Sequence, residues 1–270
     1  SFEAAGLTSF VRAEGEGEPI VLLHGLPSSS FLYRKVIGEL AARGFAAMSF
    51  DLPGLGLADR PVGFDFTFAG LGRFAVAAVD ALGLERFHLV VHDAGGPVGF
   101  ELAASAPDRV RSLTILNTVV AMDAVPFPME IYARWAAQRG WAALPPPRVS
   151  RALIYAIGIS DRSAVPPVEI DAYRELVVRV DGGAAYLEIM RNLRRGARDH
   201  RAVVDSRSAP YPVQVIWGAK DPILPLRRHG WKAMTAAGVP SIHTLPAMHF
   251  LQEDHAPQLG ELIGAFAARS

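Results

Sequence analysis

Residues 89–100 read LVVHDAGGPVGF: an apolar run ends in Asp93, a small residue and two glycines follow, and a helical pattern begins. A strand that turns straight into a helix holds the residue at the bend out at the sheet's carboxyl edge. There it meets a helix N-terminus, whose dipole favours an anion. The small neighbours let the backbone turn sharply and let a substrate come close. A carboxylate in that place attacks carbon without first losing a proton, and attack at an sp³ carbon leaves an alkyl ester on the protein. Asp93 would also serve as a plain helix N-cap, so the bend alone leaves both readings open.

Two later segments weigh on that choice. VQVIWGAKDP (213–222) ends a strand and leaves Asp221 in the loop beyond it, and SIHTLPAMHFLQED (241–254) leaves His249 after the last strand. His249 would activate water against the ester, with Asp221 fixing its tautomer and stabilising the imidazolium. Three such residues, each at a strand end, point to a nucleophile–acid–base set. In LLHGLPSSS (22–30), the backbone N–H of Leu26, together with that of Ala94, is placed to form an oxyanion hole. His255 lies beside Pro257 at a helix start and competes poorly as the base, and Asp254 reads as a cap. His24, His88, His92, His200, His229 and His243 read as structural or surface residues. No pair of them has metal-ligand spacing with a carboxylate, so no metal and no organic cofactor is implied.

These residues need an alternating α/β frame, and the hydrophobic pattern supplies one. Strands are expected at Pro19–Leu23, Phe45–Phe50, Phe87–Val91, Leu113–Leu116, Val213–Trp217 and Ile242–Leu245. Helices are expected over about Phe31–Arg43, Phe68–Leu82, Gly96–Ala106 and Gln258–Ala268. Between Val120 and Ala209 the rhythm breaks into aromatic helical pieces punctuated by prolines such as Pro145, Pro146 and Pro147. Pieces with apolar faces need something to cover. The division is therefore a core from residues 1–119 and 210–270 with a helical cap at 120–209.

Composition narrows the classes. The chain has 270 residues, half of them hydrophobic, which is enough to bury a large core without staples. It has no cysteine, excluding a thiol nucleophile, a disulfide framework and cysteine-held metals. Lys plus Arg and Asp plus Glu balance at 27 each, which argues against nucleic acid as a partner. The basic run from Arg191 to Arg201 reads as a solvated helix face. No apolar run is long enough to cross a bilayer, and Ser1-Phe2-Glu3 opens no targeting segment, so the expectation is a cytoplasmic monomer or homodimer.

The segments HGLPSSSFLYRKVI, DLPGLGLADRP, LVVHDAGGPVGF, WGAKDP and HFLQED together resemble α/β-hydrolases of the haloalkane dehalogenase and epoxide hydrolase group. The likeness covers roughly residues 15–120 and 210–268. It implies the α/β-hydrolase fold, a mostly parallel sheet flanked by helices with an inserted cap, and Asp93, His249 and Asp221 as nucleophile, base and acid. Some relatives carry the acid after the preceding strand, where this chain has Asn117, so Asp221 is preferred.

The departures are specific. Haloalkane dehalogenases usually follow the nucleophile with Trp and the His-Gly turn with Asn, both gripping the departing halide. This chain has Ala94 and Leu26 instead. One such donor is worth roughly 2–4 kcal/mol of barrier. The cap residues Trp135, Trp141 and Tyr132 are substitute candidates. Epoxide hydrolases use cap tyrosines to protonate the opening oxygen. One of these commonly precedes Arg-Asn, where this chain has Met190, and Tyr186 lies on the same helix face four residues earlier. The implied substrate is small, uncharged and hydrophobic, with water as co-substrate and no arginine pair near Asp93 for a haloacid. Haloalkane dehalogenase-like chemistry is the first expectation, epoxide hydrolysis the second and a non-catalytic ligand receptor on the same fold the third.

Overall fold

The computed structural model describes residues 1–120, 135, 144–193 and 200–270. A small hairpin of β1 (Phe2–Ala4) and β2 (Leu7–Ser9) precedes the main sheet. Seven strands form that sheet: β3 (Val11–Glu14), β4 (Glu18–Leu23), β5 (Phe45–Phe50), β6 (Phe87–Asp93), β7 (Val110–Thr118), β8 (Val213–Gly218) and β9 (His243–Leu245). Their order is β3-β5-β4-β6-β7-β8-β9. β3 runs antiparallel to β5, and every other pairing is parallel.

The central strands are buried on both faces, which is why they read as unbroken apolar runs rather than alternating ones. All seven residues of β6 are buried. Alternate side chains nonetheless feed two separate cores. Val21, Leu23 and Val91 pack on one face with α2 (Phe68–Ala81) and α3 (Gly95–Ser105). Ile20, Leu22 and Val90 pack on the other, beyond which α1 (Arg34–Ala41) lies against the C-terminal helix. Full burial of each such side chain contributes about 1.5–3 kcal/mol. Thr67 starts α2, its Oγ1 accepting the Gly70 N–H at 3.2 Å, which satisfies one otherwise free donor.

Between β7 and β8 the described chain is helical: α4 (Pro147–Gly158), α5 (Pro167–Val178), α6 (Ala184–Asn192) and α7 (Arg201–Val204). Pro stands in the first turn of α4 and α5, where its missing N–H costs nothing. Polar clamps tie these helices to the core. Arg34 forks onto both oxygens of buried Glu253 at 2.7 and 2.8 Å, and Glu253 also accepts the Tyr173 hydroxyl of α5. Arg60 donates to the Leu176 carbonyl at 2.6 Å and to Asp181 at 3.1 Å. Asp254 accepts from Ser160 N at 2.7 Å and Asp161 N at 2.8 Å. After β8 come α8 (Trp231–Ala237), α9 (Leu251–Asp254) and α10 (Ala256–Ala267).

Most expected elements coincide with observed ones within a few residues. The expected helix at Phe31–Arg43 is a 3₁₀ turn, Ser30–Tyr33, running into the shorter α1. β1, β2, β3, α8 and α9 have no counterpart among the sequence expectations. They are too short or bury too little to leave a periodic signal: β3 has no buried residue, α8 buries only Ala233 and Ala237, and α9 is the single turn Leu251–Asp254.

Candidate active site

β6 ends in Asp93, whose φ of +49° is left-handed, a conformation costing a non-glycine residue roughly 1–2 kcal/mol. The surroundings hold it there. Thr118 Oγ1, at the end of β7, donates to the Asp93 carbonyl at 2.5 Å. Small residues are required by contact: a Cβ on Gly25 would lie 2.3 Å from Asp93 Oδ1 and 2.7 Å from Ala94 N. A Cβ on Gly96 would lie 1.9 Å from Thr118 Oγ1.

The carboxylate is held at both ends. Asp93 Oδ1 accepts the Leu26 N–H at 2.7 Å, delivered by the turn after β4, where the Leu26–Pro27 peptide is cis. Ala94 N belongs to the residue that opens α3 beside the same turn. Oδ2 faces His249, 3.4 Å from Nε2. Burial alone favours the neutral acid, but His249, His92 and the Leu26 N–H together keep the Asp93 carboxyl below its usual range.

His249 Nδ1 donates to Asp221 Oδ2 at 2.8 Å. Asp221 Oδ1 accepts the N–H groups of Ile223 at 2.8 Å and Leu224 at 3.0 Å. Its Oδ2 also accepts from Asn117 Nδ2 at 2.6 Å, and Asn117 Oδ1 takes the Gly218 N–H at 2.8 Å. Burial opposes charge on both members of the pair. The Asp221 and Asp93 carboxylates overcome it and lift His249 to about 10, while His249 and the two N–H donors bring Asp221 down to about 2. Both carboxylates thus favour the charged form of the His249 ring.

Asn117 and Asp221 thus meet as donor and acceptor at the ends of neighbouring strands. His92, read from sequence as structural or surface, lies against the site with its ring tilted 46° to that of His249. Its ring centroid is 4.9 Å from that of His249, and its Nε2 donates to the His249 carbonyl at 2.9 Å. Burial, and then the charge on His249, push His92 down to about 4, so it stays neutral. Its position beside Asp93 in LVVHD was the available signal, since a residue one step from a strand end shares the same edge.

A cavity of about 450 Å³ opens over Asp93 and His249. Its walls are mostly apolar and come from Leu26 and Pro27 of the core, Leu153 and Ile157 of α4, Val177 of α5 and Met190 of α6. Tyr186 lines it alongside Met190, as their spacing on one helix face requires. Tyr173 also lines it, with its hydroxyl committed to Glu253. Trp135 is 39% exposed and is not among the lining residues. Tyr132 and Trp141 lie outside the described residues. His255 is engaged with Asp254 at 2.8 Å and is not among the residues lining the cavity. In the basic run, Arg191 and Arg201 are exposed, and Arg194, Arg195 and Arg198 lie outside the described residues. Arg174 lines the cavity too, and no spacing or motif had marked it. Among the described residues no group of three or more His, Asp or Glu could hold a metal ion, and no helix is long and apolar enough to cross a membrane.

Comparison with known proteins identifies the fold family. A family model described as alpha/beta hydrolase fold matches residues 18–256. A haloalkane dehalogenase of Mycolicibacterium paratuberculosis is 30% identical over 92% of this chain and 83% of its own length. One from Mycobacterium marinum is 30% identical over 92% and 84%. The solved structure of epoxide hydrolase VrEH1 from Vigna radiata superposes with a TM-score of 0.77 at 20% identity, covering 99% of this chain and 96% of that one, a likeness of fold. The chain belongs to the α/β-hydrolase fold family, and the relatives it matches over most of its length include haloalkane dehalogenases.

Proposed function

We propose that this protein is a hydrolase of alkyl electrophiles, working through an ester on Asp93 beneath a cap formed by residues 120–209. The observation that carries the reading is the divided carboxylate: Oδ1 on the Leu26 N–H, Oδ2 3.4 Å from His249 Nε2, at the floor of an apolar cavity. Oδ2 attacks the sp³ carbon, the carbon–halogen bond breaks, and halide leaves with the electron pair. Neutral His249 then takes a proton from water, and the hydroxide attacks Asp93 Cγ. The charge that develops on Oδ1 falls on the N–H of Leu26, joined by that of Ala94. The ester's carbonyl carbon–oxygen bond breaks, the alcohol leaves with the proton from His249, and the carboxylate returns. One alkyl halide and one water become one alcohol, one proton and one halide.

Epoxide opening is the second reading, favoured by one observation: Tyr186 lines the same cavity. There the opening oxygen would take the tyrosine proton. Intact-mass spectrometry of His249→Phe, exposed to bromoalkanes and to epoxides, tests both. An adduct equal to the bromoalkane less HBr, lost on Asp93→Asn, supports dehalogenation. An adduct equal to a whole epoxide supports ring opening. No adduct from either class sinks the alkylating reading and leaves a ligand receptor on this fold.

A further inference from the structure

The cavity has two polar ends. At one stand Asp93 and His249. At the other, the Pro145 carbonyl accepts hydrogen bonds from Ser150 Oγ and Arg174 Nε, each at 3.0 Å, and all three residues line the wall. α4 sets their separation. Ser150, Leu153, Ile154 and Ile157 all face the cavity, the i, i+3, i+4, i+7 stripe of one helix face. The Ile157 carbonyl accepts the His249 N–H at 3.3 Å. Seven residues of helix, about 10 Å at 1.5 Å per residue, therefore separate the two ends. Leu153, Ile154 and Val177 line the cavity along the way.

Arg174 is the sole Lys or Arg among the described lining residues. Its side chain is 25% exposed, and its nearest carboxylate, Glu175, lies 3.8 Å from Nη1 and is itself 68% exposed. A pair so long and so solvated neutralises little. With Nε committed to Pro145, the guanidinium keeps the donors of its outer edge, a planar fork that matches a carboxylate. A cation at the far end of an otherwise apolar channel is out of place for an uncharged substrate.

Resting on the alkylating reaction proposed above, we infer that the substrate is an amphipathic acid. Its electrophilic carbon sits at Asp93, its alkyl chain runs along α4, and its terminal carboxylate is bound by Arg174. This differs from a haloacid, whose carboxylate adjoins the reacting carbon and would need cations beside Asp93.

Binding of octanoate and of 1-octanol, measured by titration calorimetry at neutral pH, tests this without requiring turnover. Octanoate is expected to bind about tenfold or more tightly than the alcohol. Arg174→Gln should abolish that preference and leave 1-octanol unchanged, whereas Arg174→Lys, which keeps the charge without the fork, should retain part of it. The double variant Arg227→Gln/Arg228→Gln alters a separate basic cleft and should leave octanoate binding as it is. Equal binding of the two probes by the unaltered protein overturns the inference, as does a preference that survives Arg174→Gln or vanishes in the double variant. Trapping on His249→Phe with 1-bromooctane and 8-bromooctanoate separates the two proposals. An ester without acid preference keeps the reaction and discards the Arg174 subsite. Acid preference without an ester keeps the subsite and discards the alkylation.

Discussion

Oδ2 of Asp93 lies 3.4 Å from His249 Nε2, while Oδ1 of the same carboxylate is held by the Leu26 N–H at 2.7 Å. The two oxygens are thereby made unequal. One is tied to a backbone donor, and the other looks toward His249 and the cavity. The same pair gives the site its pH behaviour, because the Asp93 charge helps to hold the proton on His249.

In the proposed reaction alkylation of Asp93 removes that charge, so the His249 pKa should fall from about 10 once the ester forms, leaving burial to work against Asp221 alone. Ester formation needs only the Asp93 carboxylate, whose pKa is already lowered, and persists into acid. Ester hydrolysis needs neutral His249 and should slow tenfold per pH unit below its new pKa. Stopped-flow assays below about pH 6 should show a burst of roughly one bromide per protein molecule, then a slow phase that quickens as pH rises. A burst-free profile without pH dependence would falsify this order of steps.

The His249–Asp221 pair also couples stability to pH. Asp221, lowered from 3.8 to about 2, stabilises the fold above pH 3.8 by roughly 2 kcal/mol, and this is lost as pH falls through 2. His249, raised from 6.5 to about 10, stabilises below pH 6.5 and loses that contribution as pH rises through 10. Both describe one interaction and are not summed. Urea midpoints of the protein and of Asp221→Asn should differ most near pH 5–6 and converge toward both extremes.

Arg34→Met should destabilise the fold by about 2–4 kcal/mol, because it removes the forked partner of buried Glu253 and leaves it only Lys35, 3.4 Å away, as a cationic neighbour. Adding Glu253→Gln to it should recover part of that loss. Denaturant unfolding of the two single variants and the double variant measures the coupling, and additive effects would rule the pairing out as the cause.

Tyr186→Phe divides the two chemistries. If the tyrosine gives its proton to an opening epoxide, epoxide turnover should drop about 10²-fold or more while bromoalkane turnover holds within about twofold. Equal loss on both substrates would mean that Tyr186 shapes the cavity and donates nothing.

Gly25→Ala should cut turnover by 10²-fold or more, since the new methyl would sit 2.3 Å from Asp93 Oδ1 and displace the Leu26 N–H from it. Steady-state kinetics beside a thermal melt reads it. A variant that melts normally and keeps full activity would show that this donor is dispensable.

The sequence by itself determined where the chemistry-bearing residues fall along the chain. Buried parallel strands are continuous apolar runs, so β6 and β8 announced themselves and left Asp93 at the end of one and Asp221 just beyond the other, while His249 follows the short edge strand β9. Because parallel strands share one carboxyl edge, that reading also put the three residues on one side of the sheet. Tertiary structure alone decided what each one touches. The 2.6 Å bond between Asn117 and Asp221 joins residues 104 apart and depends on the register of β7 against β8. His92 meets His249 across 157 residues. Arg174 reaches the Pro145 carbonyl, 29 residues away in sequence, because α4 and α5 pack side by side. Local pattern carries no record of such encounters, since they arise from how separate elements pack and not from the spacing within any one of them.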